Sequence, residues 1–227
     1  MEPQYRLCLS SIETCLRRVQ SEFPRINAQL TDFRQPLTDE VVANMMAGYA
    51  HVNSLLAERT DLFALGNSAR ILELNERVLY GEDVPHLGEL SEHLEVNRQY
   101  FYDDQRGGIR DLLEWYELKR KLPVWERAAG AYVRILSQPQ LYIEGNHRTG
   151  ALIMSYILTR EGLPPFVLTV DNAKVYFDPS TLVKKTRKRS FAMLYSISGV
   201  RRQFARMLQD QADPRFLLPP AQPLGAT

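Results

Sequence analysis

The sequence predicts a mainly α-helical fold organised as a single domain. Apolar residues recur every three or four positions over most of the 227 residues, which is the spacing of amphipathic helices. Glycine and proline stand at the ends of these apolar stripes, where helices begin and stop. Only two short segments, 165–170 and 174–177, have the composition of strands, so the sequence predicts at most one short β-hairpin.

The first three predicted helices precede residue 81. Residues 5–22 carry an apolar stripe whose members are Leu7, Ile12, Cys15, Leu16 and Val19. Pro24 is expected either to break this helix or to open the next segment. Thr38 is a typical N-cap residue, so a second helix is predicted from about 39 to 58. A third helix is predicted from about 68 to 80, and Gly81 ends it.

The middle of the chain predicts three further helical segments. Residues 88–116 are expected to form one or two helices, interrupted at Gly107 and Gly108. Pro123 suits the first turn of a helix that extends to about residue 137, and Pro139 closes it. A nearly all-apolar helix is predicted from about 147 to 161, because Gly162 and the prolines that follow it prevent continuation.

The last third of the chain contains the predicted hairpin. Its two strands, 165–170 and 174–177, are expected to meet at a turn formed by Asp171 and Asn172, and the alternative is extended loop, because both segments are short. Helical pattern then returns from about 180 to 211, and the proline-rich residues 213–227 predict a loose tail. The predicted organisation is therefore an N-terminal helical region (1–87), a core (88–212) and the tail (213–227).

The composition excludes several classes of protein. The formal net charge is +1 and the hydrophobic fraction 44%, which is typical of soluble globular proteins and argues against a general nucleic-acid binder. No apolar run of about 18 residues predicts a membrane span, and the N-terminal segment lacks the pattern of a secretory signal. Cys8 and Cys15 are seven residues apart, too distant on a helix for a disulfide, so buried thiols in a reducing cytoplasm are expected.

Charge is unevenly distributed along the chain. Residues 72–95 contain seven acidic residues and one basic residue, whereas residues 179–209 contain eight basic residues, including the run KKTRKR at 184–189, and no acidic one. One interpretation is that the acidic and the basic segment form two solvated surfaces of opposite charge. The other gives the basic face at 184–206 a phosphate-bearing partner or a role in nuclear import.

The segment most suited to bind a ligand is the loop before the apolar helix. The first amides of a helix have no partner within it and carry the positive end of its dipole, so they attract an anion. Gly145 allows a sharp turn and close approach of a ligand to the main chain. Arg148 lies in the first turn and can reach the same anion. Glu144 can hold a Mg²⁺ ion that accompanies phosphate. Asn146 can cap the helix or bond a ligand oxygen. The loop is therefore predicted to bind phosphate at a helix N-terminus, the alternative being a capped helix start in which Arg148 pairs with Glu144.

This loop resembles a known family. The sequence E-G-N-x-R-T-G, followed by an apolar helix and an R-x-G-L-P-P turn, is similar to the core of Fic (Fido) proteins, whose motif is H-x-F-x-[D/E]-G-N-G-R-x-x-R. The match covers about residues 134–168, with the motif at 140–151. The resemblance implies a helical domain that binds ATP with Mg²⁺ and transfers a nucleotide monophosphate to a hydroxyl of a target protein.

The resemblance also implies roles for individual residues. Glu144 corresponds to the metal-binding acid of the motif, and Tyr142 takes the place of its packing phenylalanine. The residues predicted to bind the nucleotide phosphates are Gly145, Asn146, His147, Arg148, Thr149 and Gly150.

Three positions depart from the motif. The catalytic histidine is replaced by Gln140, which does not titrate and can only position a hydroxyl by hydrogen bonding. The final arginine is Ala151, which removes a cation from the phosphates. The glycine after Asn146 is His147, whose ring either fills space or replaces the missing base from the other side of the loop.

These departures leave three hypotheses for the function. The first is a Fic-like nucleotide- or phosphate-binding protein that is impaired in AMP transfer because Gln140 occupies the base position. The second is an active nucleotidyl- or phosphoryltransferase in which His147 is a relocated base. The third is an interaction module that uses the basic face at 184–206. The histidines at 51, 86 and 93 are expected to be structural or exposed.

Two further segments are similar in position or sequence to features of the family. Residues from Ser68 to Asn75 are close to an inhibitory-helix motif but have the wrong spacing, so an ordinary packed helix is the simpler expectation. Residues 100–110 stand where the family has a target-docking flap, and a plain helix break explains Gly107 and Gly108 equally well.

Overall fold

The computed structural model describes residues 4–82, 89–188 and 191–220. Within these ranges the chain forms helices α1 (Leu9–Asn27), α2 (Asp39–Ala57), α3 (Ser68–Tyr80), α4 (Glu89–Tyr102), α5 (Ile109–Leu118), α6 (Val124–Leu136), α7 (Asn146–Arg160), α8 (Ala173–Lys185) and α9 (Phe191–Asp210). Two-residue strands, β1 (Arg6–Leu7) and β2 (Leu217–Leu218), pair antiparallel. The mainly α-helical fold class is therefore confirmed. No helix in the described ranges is long and apolar enough to cross a bilayer.

Helix α7 lies at the centre of the fold. It packs against α6, α2 and α3, and α6 in turn packs against α9. From Thr149 to Thr159 every residue of α7 is buried, as expected for a helix that is apolar on all sides. The first turn of α7 is therefore held by neighbours on several sides, which fixes the position of the loop that precedes it.

Most of the predicted helices are confirmed within one or two residues. Thr38 caps α2, because its side chain accepts a hydrogen bond from the amide of Val41. Helix α3 ends at Gly81, and glycines 107 and 108 separate α4 from α5. Helix α1, however, continues through Pro24 to Asn27, because Phe23 and Ile26 extend the buried stripe beyond the proline.

The predicted hairpin is wrong. Residues 165–169 are irregular, and the segment proposed as a second strand opens α8. The Thr169 amide donates to Asn172 Oδ1 and the Asn172 amide donates to Thr169 Oγ1, which folds the expected turn into a helix start. The buried residues of α8 then follow helical spacing, namely Ala173, Tyr176, Ser180 and Val183.

The C-terminal predictions are corrected in two respects. The helix expected over 180–211 is divided between α8 and α9, because α8 ends at Lys185 and Thr186 adopts extended backbone. The tail expected from residue 213 is packed as far as 218: Phe216 is buried, and β2 pairs with β1. Residues 221–227 lie outside the described part of the chain.

Candidate functional site

The loop before α7 turns at Gly145. This residue has φ +76° and an added Cβ would lie 2.7 Å from Asn75 Nδ2. Both the left-handed backbone and the close neighbour require glycine at this position. Gly145 therefore allows α7 to start directly against α3.

Asn146 fixes the shape of this loop. Its Oδ1 accepts from the Tyr142 amide at 3.0 Å, and its Nδ2 donates to the Tyr142 carbonyl at 2.7 Å. The side chain is buried, with 5% exposure. It closes a ring over residues 142–146 and does not cap α7, since the N-cap residue is Gly145. The capping role considered from the sequence is therefore wrong.

Two buried asparagines outside the motif anchor the same loop. Asn75 of α3 donates to the Glu144 carbonyl at 3.0 Å and to Thr149 Oγ1 at 2.9 Å. Asn97 of α4 donates to Asn75 Oδ1 at 2.8 Å and accepts from the Ile143 amide at 3.2 Å. The two asparagines thus form a continuous polar network between α3, α4 and the loop.

Neither asparagine was identified from the sequence as part of the site. In the sequence, Asn75 is only one position of a mismatched inhibitory motif. The available signal was a polar residue within the buried stripe of α3, beside Leu74 and Val78. A buried amide requires hydrogen-bond partners, and here those partners come from the loop.

Within the described ranges, the first amides of α7 remain unpaired beside this network. The N–H groups of Asn146, His147 and Arg148 donate to no residue in the described ranges, whereas the Thr149 amide bonds the Gly145 carbonyl at 2.8 Å. Gly150 faces Tyr132, and an added Cβ would lie 2.7 Å from its ring. Within the described ranges, the residues predicted to bind phosphate thus include three with unpaired amides, whereas the Thr149 amide is bonded within the helix start and Gly150 packs against Tyr132.

Arg148 lies beside these amides, between α7 and the end of α3. Its Nη1 donates to the Val78 carbonyl at 2.9 Å. Burial lowers the pKa of its guanidinium, and Glu144 and Glu40 oppose that shift. The side chain bonds a neutral carbonyl in place of the Glu144 carboxylate, and it forms no ion pair with any residue that the structure describes.

Glu144 is exposed at the outer side of the loop. No group of three histidine, cysteine, aspartate or glutamate side chains clusters as a metal site in the ranges that the structure describes. A single exposed carboxylate fits Mg²⁺, which usually keeps several waters and binds through one or two carboxylates together with phosphate oxygens. Glu144 is thus suited to a metal that arrives with its ligand.

Gln140 is engaged within the loop. Its Nε2 donates to the Leu136 carbonyl at 3.3 Å, and its Oε1 accepts from Asn146 Nδ2 at 3.4 Å. The amide therefore supports the end of α6 and the asparagine that shapes the loop. It presents no group that accepts a proton at neutral pH.

His147 points away from the loop and toward α6 and α8. Its Nδ1 is 2.9 Å from the Tyr132 hydroxyl, and its Nε2 is buried without a hydrogen-bond partner among the described residues. Burial lowers the pKa of the ring to about 3, with smaller effects from Lys184 and Arg34. A base is most effective when its pKa lies near the working pH, so this environment disfavours the relocated-base hypothesis.

The structure separates the predicted residues into two groups. His147, Arg148 and Ala151 line a pocket beside the first turn of α7, together with Arg34 and Lys184, which the sequence analysis did not assign to the site. Gln140, Asn146 and Gly145 belong to the loop itself, and Glu144 lies at its outer side.

The remaining histidines have structural surroundings where they are described. His51 Nε2 is 3.3 Å from a Glu73 carboxylate oxygen, and His93 Nδ1 is 2.6 Å from the Tyr80 hydroxyl. His86 lies outside the described residues.

The basic segment is not a uniformly solvated face. Lys188 is buried at 3.7 Å from the Asp111 carboxylate, and Arg201 pairs with Glu126 at 3.1 Å. Lys184 lines the pocket, whereas Lys185 is exposed. Residue 189 lies outside the described ranges. Only part of the run is therefore available to a partner in solution.

The lowered pKa of His147 predicts a pH-dependent stability. An unfolded histidine takes up a proton below about pH 6.5, whereas this ring stays neutral in the folded protein until about pH 3. The free energy of unfolding should therefore fall as the pH drops through this window, by roughly 2 kcal/mol at pH 5 from this group alone. Urea unfolding at pH 7 and pH 5 measures the loss. It should be smaller for His147→Gln, and equal losses in the two proteins would contradict the assignment.

No protein-family model matches the sequence, and no curated protein is significantly similar to it. Among solved structures, a Fic-domain-containing signalling protein from Bacteroides thetaiotaomicron aligns with a TM-score of 0.48 and 17% identity, over 89% of each chain. A fragment of Fic-1 from C. elegans aligns with a TM-score of 0.43 and 18% identity, over 89% of this chain and 69% of that one.

Proposed function

We propose that the loop before α7 binds the phosphate group of a nucleotide, and that the protein is a Fic-like nucleotide-binding protein with impaired AMP transfer. The observation that carries this proposal is the set of three amides at residues 146–148 that have no partner among the described residues, in a loop anchored by a buried asparagine network. The resemblance of residues 140–151 to the Fic motif supports the choice of a nucleotide.

The proposed binding mode uses groups that are already in place. The amides of Asn146, His147 and Arg148 donate to phosphate oxygens at the positive end of the α7 dipole. The guanidinium of Arg148 has five donors, and the Val78 carbonyl occupies one nitrogen, so the others remain for the phosphate. Glu144 would hold Mg²⁺, which supplies positive charge to the phosphates when it is bound.

Impaired transfer follows from two positions of the motif. A general base contributes typically about 10²–10⁴-fold to a rate, and Gln140 supplies none. Its amide is occupied by Leu136 and Asn146, so it is a positioning residue for the loop. Ala151 leaves the first turns of α7 with Arg148 as their cation. We expect the protein to bind nucleotide without efficient transfer to a protein hydroxyl.

The other two hypotheses find less support. The relocated base would be His147, but its pKa of about 3 makes it a weak proton acceptor. The interaction module would use the basic face at 184–206, but Lys188 is buried and Arg201 is paired.

Replacement of Arg148 by alanine tests the proposal. Loss of a hydrogen bond to a charged group should weaken nucleotide binding by about 1.5–3 kcal/mol, roughly tenfold to hundredfold in Kd. Isothermal titration calorimetry with ATP and Mg²⁺ gives the affinity, and Arg202→Ala, at an exposed position of α9, is the matched control. Unchanged affinity in Arg148→Ala, or no binding by the wild type, would overturn the proposed function.

A further inference from the structure

A pocket of about 200 Å³, here called the end pocket, lies between the C-terminal ends of α2 and α7. Residues 4 and 5, which precede β1, complete its wall. Helix α7 has 15 residues, so the end pocket is about 20 Å from the loop before α7. It shares no lining residue with the pocket beside the first turn of that helix. Its volume is below the range of drug-sized ligands, which indicates a small ligand.

The two helix ends beside the end pocket have the same backbone geometry but different residues. In each, the second residue after the helix donates its amide to the carbonyl three positions earlier, and the next residue donates to the carbonyl five positions earlier. That second residue is Gly162 after α7, with φ +75°, and Arg59 after α2, with φ +54°. Glycine is favoured at this position because a side chain is strained there. Arg59 is the one non-glycine residue with positive φ in the described ranges, and it lines the end pocket.

The carbonyls that face the end pocket are already paired. Gln4 Nε2 donates to the carbonyls of Leu56 and Ala57, at 3.0 and 2.8 Å. The Tyr156 hydroxyl donates to the Thr60 carbonyl. The last carbonyls of a helix would otherwise attract a cation. The wall therefore offers hydrogen-bond donors to a ligand more readily than acceptors.

The charged residues of the wall are Arg59 and Arg160, and no carboxylate lines it. Arg160 pairs with Asp61, outside the wall, at 2.9 Å, and donates to the Tyr156 hydroxyl at 3.3 Å. These contacts use the terminal nitrogens of the guanidinium, and its Nε bonds no residue that the structure describes. Two cations on one small wall repel each other, and an anion between them offsets that repulsion.

Two hydroxyl groups of the wall are available as further donors. Thr159 is fully buried, and its Oγ1 has no hydrogen-bond partner among the described residues. A helical threonine can donate to the carbonyl four residues earlier, but Thr159 does not. The Tyr5 ring lies against Gly162, and its hydroxyl likewise bonds no described residue. Buried polar groups without partners are uncommon, so Thr159 indicates a ligand that accepts hydrogen bonds.

We propose that the end pocket binds a tetrahedral oxyanion, phosphate or sulfate, between Arg59 and Arg160. The four oxygens of such an ion can accept from both guanidinium groups and from the hydroxyls of Thr159 and Tyr5, whereas a carboxylate has only two oxygens. The oxyanion is either a free ion or the end group of a small molecule. The proposal goes beyond nucleotide binding, because the end pocket and the loop lie at opposite ends of α7.

Titration of the ¹⁵N-labelled full chain with inorganic phosphate, followed by amide chemical shifts, tests the proposal. The amides of residues 59, 60, 159 and 160 should shift along one saturation curve, with a Kd of about 1 mM or tighter from the charged hydrogen bonds. The amides of residues 146–148 report phosphate at the loop separately. Failure of the end pocket is therefore distinguishable from failure of the proposed nucleotide site.

Other anions define the ligand class. Sulfate should shift the same four amides, and acetate should bind at least about tenfold more weakly, because it forms fewer charged hydrogen bonds. Glycerol 3-phosphate distinguishes the two sources of the oxyanion. Tighter binding than that of phosphate identifies a small phosphate monoester as the ligand, and weaker binding identifies the free ion.

Variants locate the binding. Arg59→Gly should weaken phosphate binding at the end pocket about tenfold, and its urea midpoint should equal or exceed that of the wild type, because glycine suits the left-handed backbone. Thr159→Val keeps the shape of the side chain and should weaken binding roughly threefold to tenfold. Arg206→Gln, at an exposed position of α9, is the control and should leave the affinity unchanged.

Three results would overturn the inference. The first is that phosphate shifts none of the four amides in the wild type. The second is that acetate binds as tightly as phosphate, which would show that the pocket does not select a tetrahedral ion. The third is that Arg59→Gly and Arg206→Gln bind phosphate equally well, which would assign the shifts to general surface charge.

Discussion

Replacement of Asn75 by alanine should lower the free energy of unfolding by about 3 kcal/mol. The change removes three hydrogen bonds and leaves the Glu144 carbonyl, Thr149 Oγ1 and Asn97 Nδ2 without this partner. Each bond contributes about 1 kcal/mol net, and unpaired buried groups add to the cost. Urea unfolding followed by circular dichroism measures the change.

The same variant should also weaken phosphate binding, because Asn75 holds the loop that orients the free amides. Gln203→Ala, at an exposed position of α9, is the control and should change stability by less than about 0.5 kcal/mol. A stable Asn75→Ala protein with unchanged nucleotide affinity would show that the loop keeps its shape without the network.

Replacement of Gln140 by histidine should raise AMP transfer or self-modification at least about tenfold, a cautious fraction of the usual general-base effect. The residue lies at the base position, four residues before Glu144, and the glutamine side chain accepts no proton at neutral pH. Incorporation of labelled AMP into candidate targets and into the protein itself measures the gain.

The triple variant Gln140→His, His147→Gly, Ala151→Arg should exceed the single change, because it also restores the glycine and the second cation of the motif. The wild-type protein and Gln140→His are measured beside it. If the wild type is active, His147→Ala abolishes the activity and Gln140→His changes nothing, then His147 is the base despite its buried ring.

The helices were predictable wherever their signals are local. Thr38 marks a helix start through a side-chain bond to the Val41 amide, and Gly81 and Gly162 mark helix ends through positive φ; neither signal depends on distant parts of the chain. The segment 174–177 was misread because Tyr176 and its neighbours suit either a strand or a helix. The reciprocal bonds between Thr169 and Asn172 decide for the helix, and side-chain pairing of this kind has no periodic signature.

In the candidate site, too, local sequence features were predictable and contacts made by tertiary packing were not. The loop residues Gly145, Asn146 and Arg148 are adjacent in sequence, so their pattern could be recognised directly. Arg34 and Lys184 reach the same pocket from positions more than a hundred residues apart, and only tertiary packing brings them together. Burial of His147 likewise depends on α6 and α8, so its low pKa could not be predicted from its place at a helix start.

The pairing of β1 with β2 has a consequence for the order of folding. Arg6 and Leu7 lie opposite Leu218 and Leu217, and the Cys8 amide bonds the Phe216 carbonyl. The partner of the first strand is synthesised some 210 residues after it. On the ribosome, the helices can dock as they emerge, but the contact that joins the two strands must wait until residue 218 has left the exit tunnel. Closure of this sheet is thus a late, long-range step in a domain whose other contacts are mostly between helices.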